Sequence, residues 1–131
     1  MKKLFSVLAV LVLSFSCLSA QATPGTYVGT DDEGNVAWAT VFDNADVGFG
    51  TSIPKEGGGE DIYVWSGHMT RIGLTWFFDG GLYINNIYQF GSETSFPIEF
   101  WDIGRDRIMM HAETPNPGYG TGTVKYNMSL L

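Results

Sequence analysis

The chain has one cysteine, Cys17, and two histidines, His68 and His111. Seven lysines and arginines stand against fourteen aspartates and glutamates, a formal charge of −7. Beyond Leu13 it has no long apolar run. Each shortage excludes a class of structure or function. One cysteine closes no internal disulfide and supplies no thiolate metal cage. A surface so poor in cations repels phosphate, which disfavours anionic lipid, and no nucleic-acid partner is expected. A membrane-spanning helix takes about 20 apolar residues, and the run from Leu4 to Leu13 is shorter than that.

That run has another meaning. Met1-Lys2-Lys3 is a charged start, Leu4 to Leu13 an apolar middle, and Ala20-Gln21-Ala22 a small-x-small cleavage site. Together they read as the helix of a secretory signal peptide over residues 1–22. The competing route is lipidation at Cys17, but Ser14-Phe15-Ser16 puts a bulky residue where a lipid signal has small ones. Removing 22 of 131 residues leaves 109, starting at Thr23, and no cysteine. Losing Lys2 and Lys3 takes the charge from −7 to −9. The expectation is an exported protein, periplasmic or extracellular, that meets the membrane only through its leader. Residues 23–131 are the length of one domain.

Four Trp, six Tyr and, once Phe5 and Phe15 leave, seven Phe remain to fill a core. After Ala22 the apolar residues alternate at period two rather than at helical spacing. Thr123–Leu130 is the cleanest case, with Val124, Tyr126, Met128 and Leu130 on one face. Strand side chains alternate faces, so this pattern is a half-buried strand. Weaker versions occur at 26–30, 36–42, 47–53, 62–70, 72–78, 82–90, 96–103 and 107–112, giving about nine short strands. Turn residues separate them: Asp31–Asn35, Asp43–Asp46, a glycine-rich loop from Pro54 to Asp61, and Thr114–Gly118. Asp79-Gly80-Gly81 between apolar runs predicts a hairpin turn, and Pro115 predicts the end of a ladder. The fold expected is all-β, a small antiparallel up-and-down barrel of eight or nine strands, with a β-sandwich as the alternative. Short connections favour the barrel, because closure removes the two exposed edges of a meander.

Catalytic patterns are scarce. No serine lies in a Gly-x-Ser-x-Gly elbow. Glu99 and Asp102, three apart on a strand, project to opposite faces, and the two histidines lack metal-binding spacing. Asp31, Glu33 and Asn35 alternate as calcium ligands do, but Gly34 breaks the EF-hand order. No enzyme, metal or cofactor is expected. The aromatic residues carry the functional reading. Trp38, Tyr63, Trp65, Trp76, Tyr83 and Trp101 fall on several strands and exceed what a core of this size takes in. They are the candidate binding residues for an apolar, ring-shaped or sugar-like small ligand. A protein–protein module, such as an inhibitor of a basic secreted enzyme, is the alternative suggested by the charge. A small outer-membrane barrel is the second alternative.

Overall fold

The computed structural model describes residues 21–104, 107–116 and 122–131. Residues 1–20 of the expected leader helix, Cys17 among them, lie outside the described residues. Nine strands follow in order: β1 (Gly25–Asp31), β2 (Val36–Val41), β3 (Asp46–Pro54), β4 (Glu60–Ile72), β5 (Thr75–Ile84), β6 (Ile87–Tyr88), β7 (Thr94–Asp102), β8 (Ile108–Pro115) and β9 (Thr123–Leu130). Every pairing is antiparallel. Eight strands, in the order β1-β2-β3-β4-β5-β7-β8-β9, close through β1–β9 into an up-and-down barrel. β6 is a two-residue addition on the end of β5. The barrel, not the sandwich, is the architecture.

Alternation decides the faces, and size decides which face turns in. On β2 the small residues Ala37, Ala39 and Val41 are buried, while Val36, Trp38 and Thr40 face out. Ala39 stands between Tyr27 of β1 and Phe49 of β3 in the ladder. A small residue between two large ones lets the inner layer close without voids. Phe49 then meets Phe78, Phe96 and Tyr126 edge-on at centroid distances of 5.7, 5.9 and 5.4 Å. Phe78 and Phe96 stack at 4.7 Å, and Trp65 packs edge-on against both. Such pairs contribute roughly 0.5–1.5 kcal/mol each beyond burial. The aromatic residues fill the centre of the barrel.

The hairpin expected at Asp79-Gly80-Gly81 does not form. Those residues lie inside β5, opposite His68, Gly67 and Ser66 of β4. The chain instead turns at Gly73-Leu74, where Gly73 has φ 64°, and at Asn85-Asn86, with φ of 50° and 66°. Two successive positive φ values make the tight turn whose twist suits a hairpin. The glycines serve a different end. A Cβ on Gly80 would lie 2.3 Å from the Ser66 carbonyl oxygen and 2.8 Å from the Gly67 Cα. Facing glycines thus let β4 and β5 approach and bend as barrel closure needs. The ladder also runs on through Pro115, which pairs with Thr123, one residue further than the proline predicts.

β7 joins two ladders that barely overlap. Thr94 to Ile98 pair with β5, and Ile98 to Asp102 pair with β8. Ile98, fully buried, is the single residue in both. Pro97 explains the switch, because it has no N–H to carry the β8 ladder further. Below Ile98 the β7 edge facing β5 has no ladder partner among the described residues. The rows also climb. An outward row from Tyr83 runs through Val64, Gly50, Trp38, Val28, Ser129 and Met109 to Trp101. The β5–β7 register sets Trp101 level with Gly73, so one circuit climbs from 73 to 83, ten residues. That stagger sets the strand tilt and the bore.

Both ends of the barrel are plugged. At one, the Asp31 carboxylate, 5% exposed, accepts from the backbone N–H groups of Glu33 and Asn35, the Asn35 amide and the Thr51 hydroxyl. These bonds use the carboxylate that the calcium pattern had offered. At the other, Ala22, Ala45, Trp76, Ile108 and Leu130 pack against the core, and the Tyr27 hydroxyl donates to the Thr23 carbonyl at 2.5 Å.

Two outcomes follow. Gly80→Ala should lose about 1–3 kcal/mol in urea unfolding from the forced separation of β4 and β5; an unchanged midpoint would show that the close approach is not needed. Burial pushes the Tyr27 hydroxyl from its ordinary 10.0 up to about 12. A raised pKa means the unfolded chain ionises first, so this contribution is full below pH 10.0 and declines as pH rises towards about 12. Tyr27→Phe should flatten the alkaline loss of stability, and an equally steep decline in the variant would remove Tyr27 as its source.

Candidate functional site

The six sequence-predicted residues divide between the two faces of the wall. Tyr63, Trp65 and Trp76 point inward. Trp65 is 3% exposed and belongs to the aromatic core. Tyr63 and Trp76 are half-buried at opposite ends of the barrel. Trp38, Tyr83 and Trp101 point outward on the climbing row that starts at Tyr83, separated by intervening strands. Tyr83 packs on Tyr88 at 5.2 Å. The interior is occupied, so no single aromatic cavity gathers all six.

A cleft opens instead through the wall, where β5 and β7 part below Ile98. Leu74, Thr75, Trp76, Pro97, Ile98, Glu99 and Phe100 line it, and it encloses about 190 Å³. Thr75, Pro97 and Glu99 come from the outer face; Trp76, Ile98 and Phe100 come from the inner one. A gap in the ladder is thus what lets the outside reach inward-pointing aromatic side chains. The Trp76 indole N–H is buried with no acceptor, a state costing roughly 1–3 kcal/mol where it persists. The Arg71 guanidinium lies 6.0 Å from the Trp76 ring centre. Leu74, Ile72 and Ile103 leave apolar surface exposed at this end.

Glu99 joins the cleft to the outer face. Its Oε2 accepts from the Trp101 indole N–H at 2.9 Å. Trp101 lies parallel to His111, 14° between planes and 5.6 Å between centres. His111 Nδ1 is bonded to Asn127 Oδ1 at 2.7 Å. Of the predicted residues, Trp76 lines the cleft, and Trp101 is tied to the cleft-lining Glu99. Glu99 was read in the sequence only as half of a carboxylate pair. Its signal was position: two residues before Trp101 on a strand, hence on the same face.

A second, open concavity of about 500 Å³ lies on the outer face of β3–β5, lined by Phe42, Asp46, Val47, Gly48, Ser66, Gly67, His68 and Asp79. Asp46, His68 and Asp79 stand in register across the three strands. Asp46 Oδ1 meets His68 Nδ1 at 2.8 Å. The bond to His68, then that to Asn44, holds the Asp46 carboxyl below the ordinary aspartate value. Among the described residues no three metal-ligating side chains gather. A closed barrel around a buried aromatic cluster is compatible with a binding protein. No family model, no curated protein and no solved structure matches the chain.

A depressed carboxylate stabilises the fold above the ordinary aspartate range, and that contribution is lost as pH falls through the lowered value. His68→Ala should therefore return Asp46 towards its ordinary titration and narrow this acid window, read by NMR of the carboxyl carbons. If Asp46 titrates unchanged in the variant, Asn44 rather than His68 holds it down.

Proposed function

We propose that this is an exported, non-enzymatic binding protein whose site is the cleft between β5 and β7. It takes an apolar or ring-shaped group of a small ligand. One observation carries the reading: the parting of β5 and β7 past Ile98 leads from the outer surface to the inward-facing side chains of Trp76 and Phe100. A group seated against Trp76, Phe100 and Leu74 covers apolar surface, at about 25 cal/mol per Å² removed from water. Export is supported by the leader-like residues 1–22. The absence of a nucleophile elbow and of metal-binding spacing supports a binding rather than a catalytic role.

The arrangement of faces runs against an outer-membrane barrel. Asp79, Glu99, Glu113 and Lys125 stand on the outward face of β5, β7, β8 and β9, while the inward face is apolar. A lipid-spanning barrel needs an apolar band on the outside.

Titration with N-phenyl-1-naphthylamine, a neutral apolar fluorophore, tests the site. Saturable binding with quenching of tryptophan emission is expected. Trp76→Phe should weaken it about tenfold, the loss of roughly 1.4 kcal/mol of contact, while Trp38→Phe leaves it unchanged. Equal affinity in wild type and Trp76→Phe would place the ligand elsewhere.

A further inference from the structure

We propose that the cleft is half of a larger site, and that its ligand is amphipathic: a hydroxylated ring of the saccharide type carrying an apolar substituent. The ring lies on the outer face at Trp101 and Glu99. The substituent enters the wall at Trp76 and Phe100. The assignment rests on the binding reading above and adds the chemistry of the ligand to it.

The outer face beside the cleft is organised in two registered rows. Glu99, His111 and Asn127 form one across β7, β8 and β9; Trp101, Met109 and Ser129 form the other. Polar atoms and apolar surface therefore run side by side, the pattern that a sugar ring presents in its hydroxyl edge and its C–H face. The two rings are fixed before any ligand arrives. Trp101 is held by its bond to Glu99, His111 by its bond to Asn127, and the two stack in parallel. A preformed platform spares the ligand the cost of ordering those side chains.

Hydrogen-bonding capacity selects the ligand further. Glu99 spends one oxygen on Trp101, and the other is not engaged by a described residue. With Asn127 Oδ1 accepting, the His111 Nδ1–H donates; in the neutral ring this tautomer makes Nε2 an acceptor, and the Asn127 amide nitrogen is a donor. Two acceptors and a donor within one patch suit neighbouring hydroxyls, each of which both donates and accepts. An anionic headgroup is disfavoured by Glu99 and by the chain's acidic surface. A plain hydrocarbon would leave the Glu99 oxygen covered and unpaired, which costs binding. Glu99 belongs to both halves, since it lines the cleft and fixes Trp101.

The experiment uses probes that share one tail and differ in the head: octyl β-D-glucoside, octyl β-D-galactoside, octyl β-D-mannoside, octanol and octylammonium, all below micellar concentration. At least one glycoside should bind about tenfold or more tightly than octanol. Glu99→Gln and Trp101→Ala should each weaken that glycoside about five- to tenfold, and Trp101→Ala, outside the cleft lining, should leave octanol unchanged. Near-ultraviolet circular dichroism of the variants separates loss of binding from loss of fold, with Glu99→Asp as a second, milder variant. If octanol matches every glycoside and Glu99→Gln moves neither, the ring platform is overturned while the apolar cleft stands. If octylammonium binds more tightly than all the glycosides, the site recognises a cation and the proposal is overturned. If no probe binds and N-phenyl-1-naphthylamine also fails, the cleft reading falls with it.

Discussion

Closure of the sheet at β7 is the constraint on which the rest depends. A meander of eight strands offers two edges, and an edge is a row of unpaired donors and acceptors. Here β1–β9 joins the first and last strands, and β7 bridges β5 to β8. The bridge is made through Ile98, which belongs to both ladders and is wholly buried. With the ring closed, the inward faces of eight strands point at one another. Only then can Phe49, Phe78, Phe96, Trp65 and Tyr126 form a single cluster from five strands.

The same constraint places the cleft outside the bore. A filled interior has no room for a ligand, and the plugs at both ends give no entry. The wall opens where β7 runs on past Ile98 and the start of β5, which leaves its β5-facing edge without a ladder partner among the described residues. Pockets in such small barrels are a property of hydrogen-bond bookkeeping as much as of side-chain volume.

The sequence made the strands legible, and the pattern at β9 gave its inward face correctly. It could not say which face of β2 turns in, since Ala37-Ala39-Val41 and Val36-Trp38-Thr40 are both apolar enough. That choice is made by Tyr27 and Phe49 across the ladder, and ladder partners are not written in the alternation. The Asp79-Gly80-Gly81 turn was misread for a related reason. Glycines that permit close approach to a neighbouring strand look the same, in one dimension, as glycines that permit a reversal. Asn85-Asn86 held the true turn signal. Of the cleft and the outer face beside it, Trp76 and Trp101 were visible as aromatic residues on expected strands. Their nearness was not, because it depends on where two ladders part, and Glu99 acquires its role only through that parting.

The single-residue overlap at Ile98 has a topological consequence. Most neighbours in this barrel are also neighbours in the chain, tethered by short turns that hold them together even when a hydrogen bond is lost. β7 has no such redundancy with β5, from which it is separated by the β6 excursion, and the two of them share only the five pairs from Gly80↔Thr94 to Trp76↔Ile98. The molecule is a belt with two joints that no tight turn secures, β1–β9 and β5–β7, each of five pairs, and the second borders the cleft.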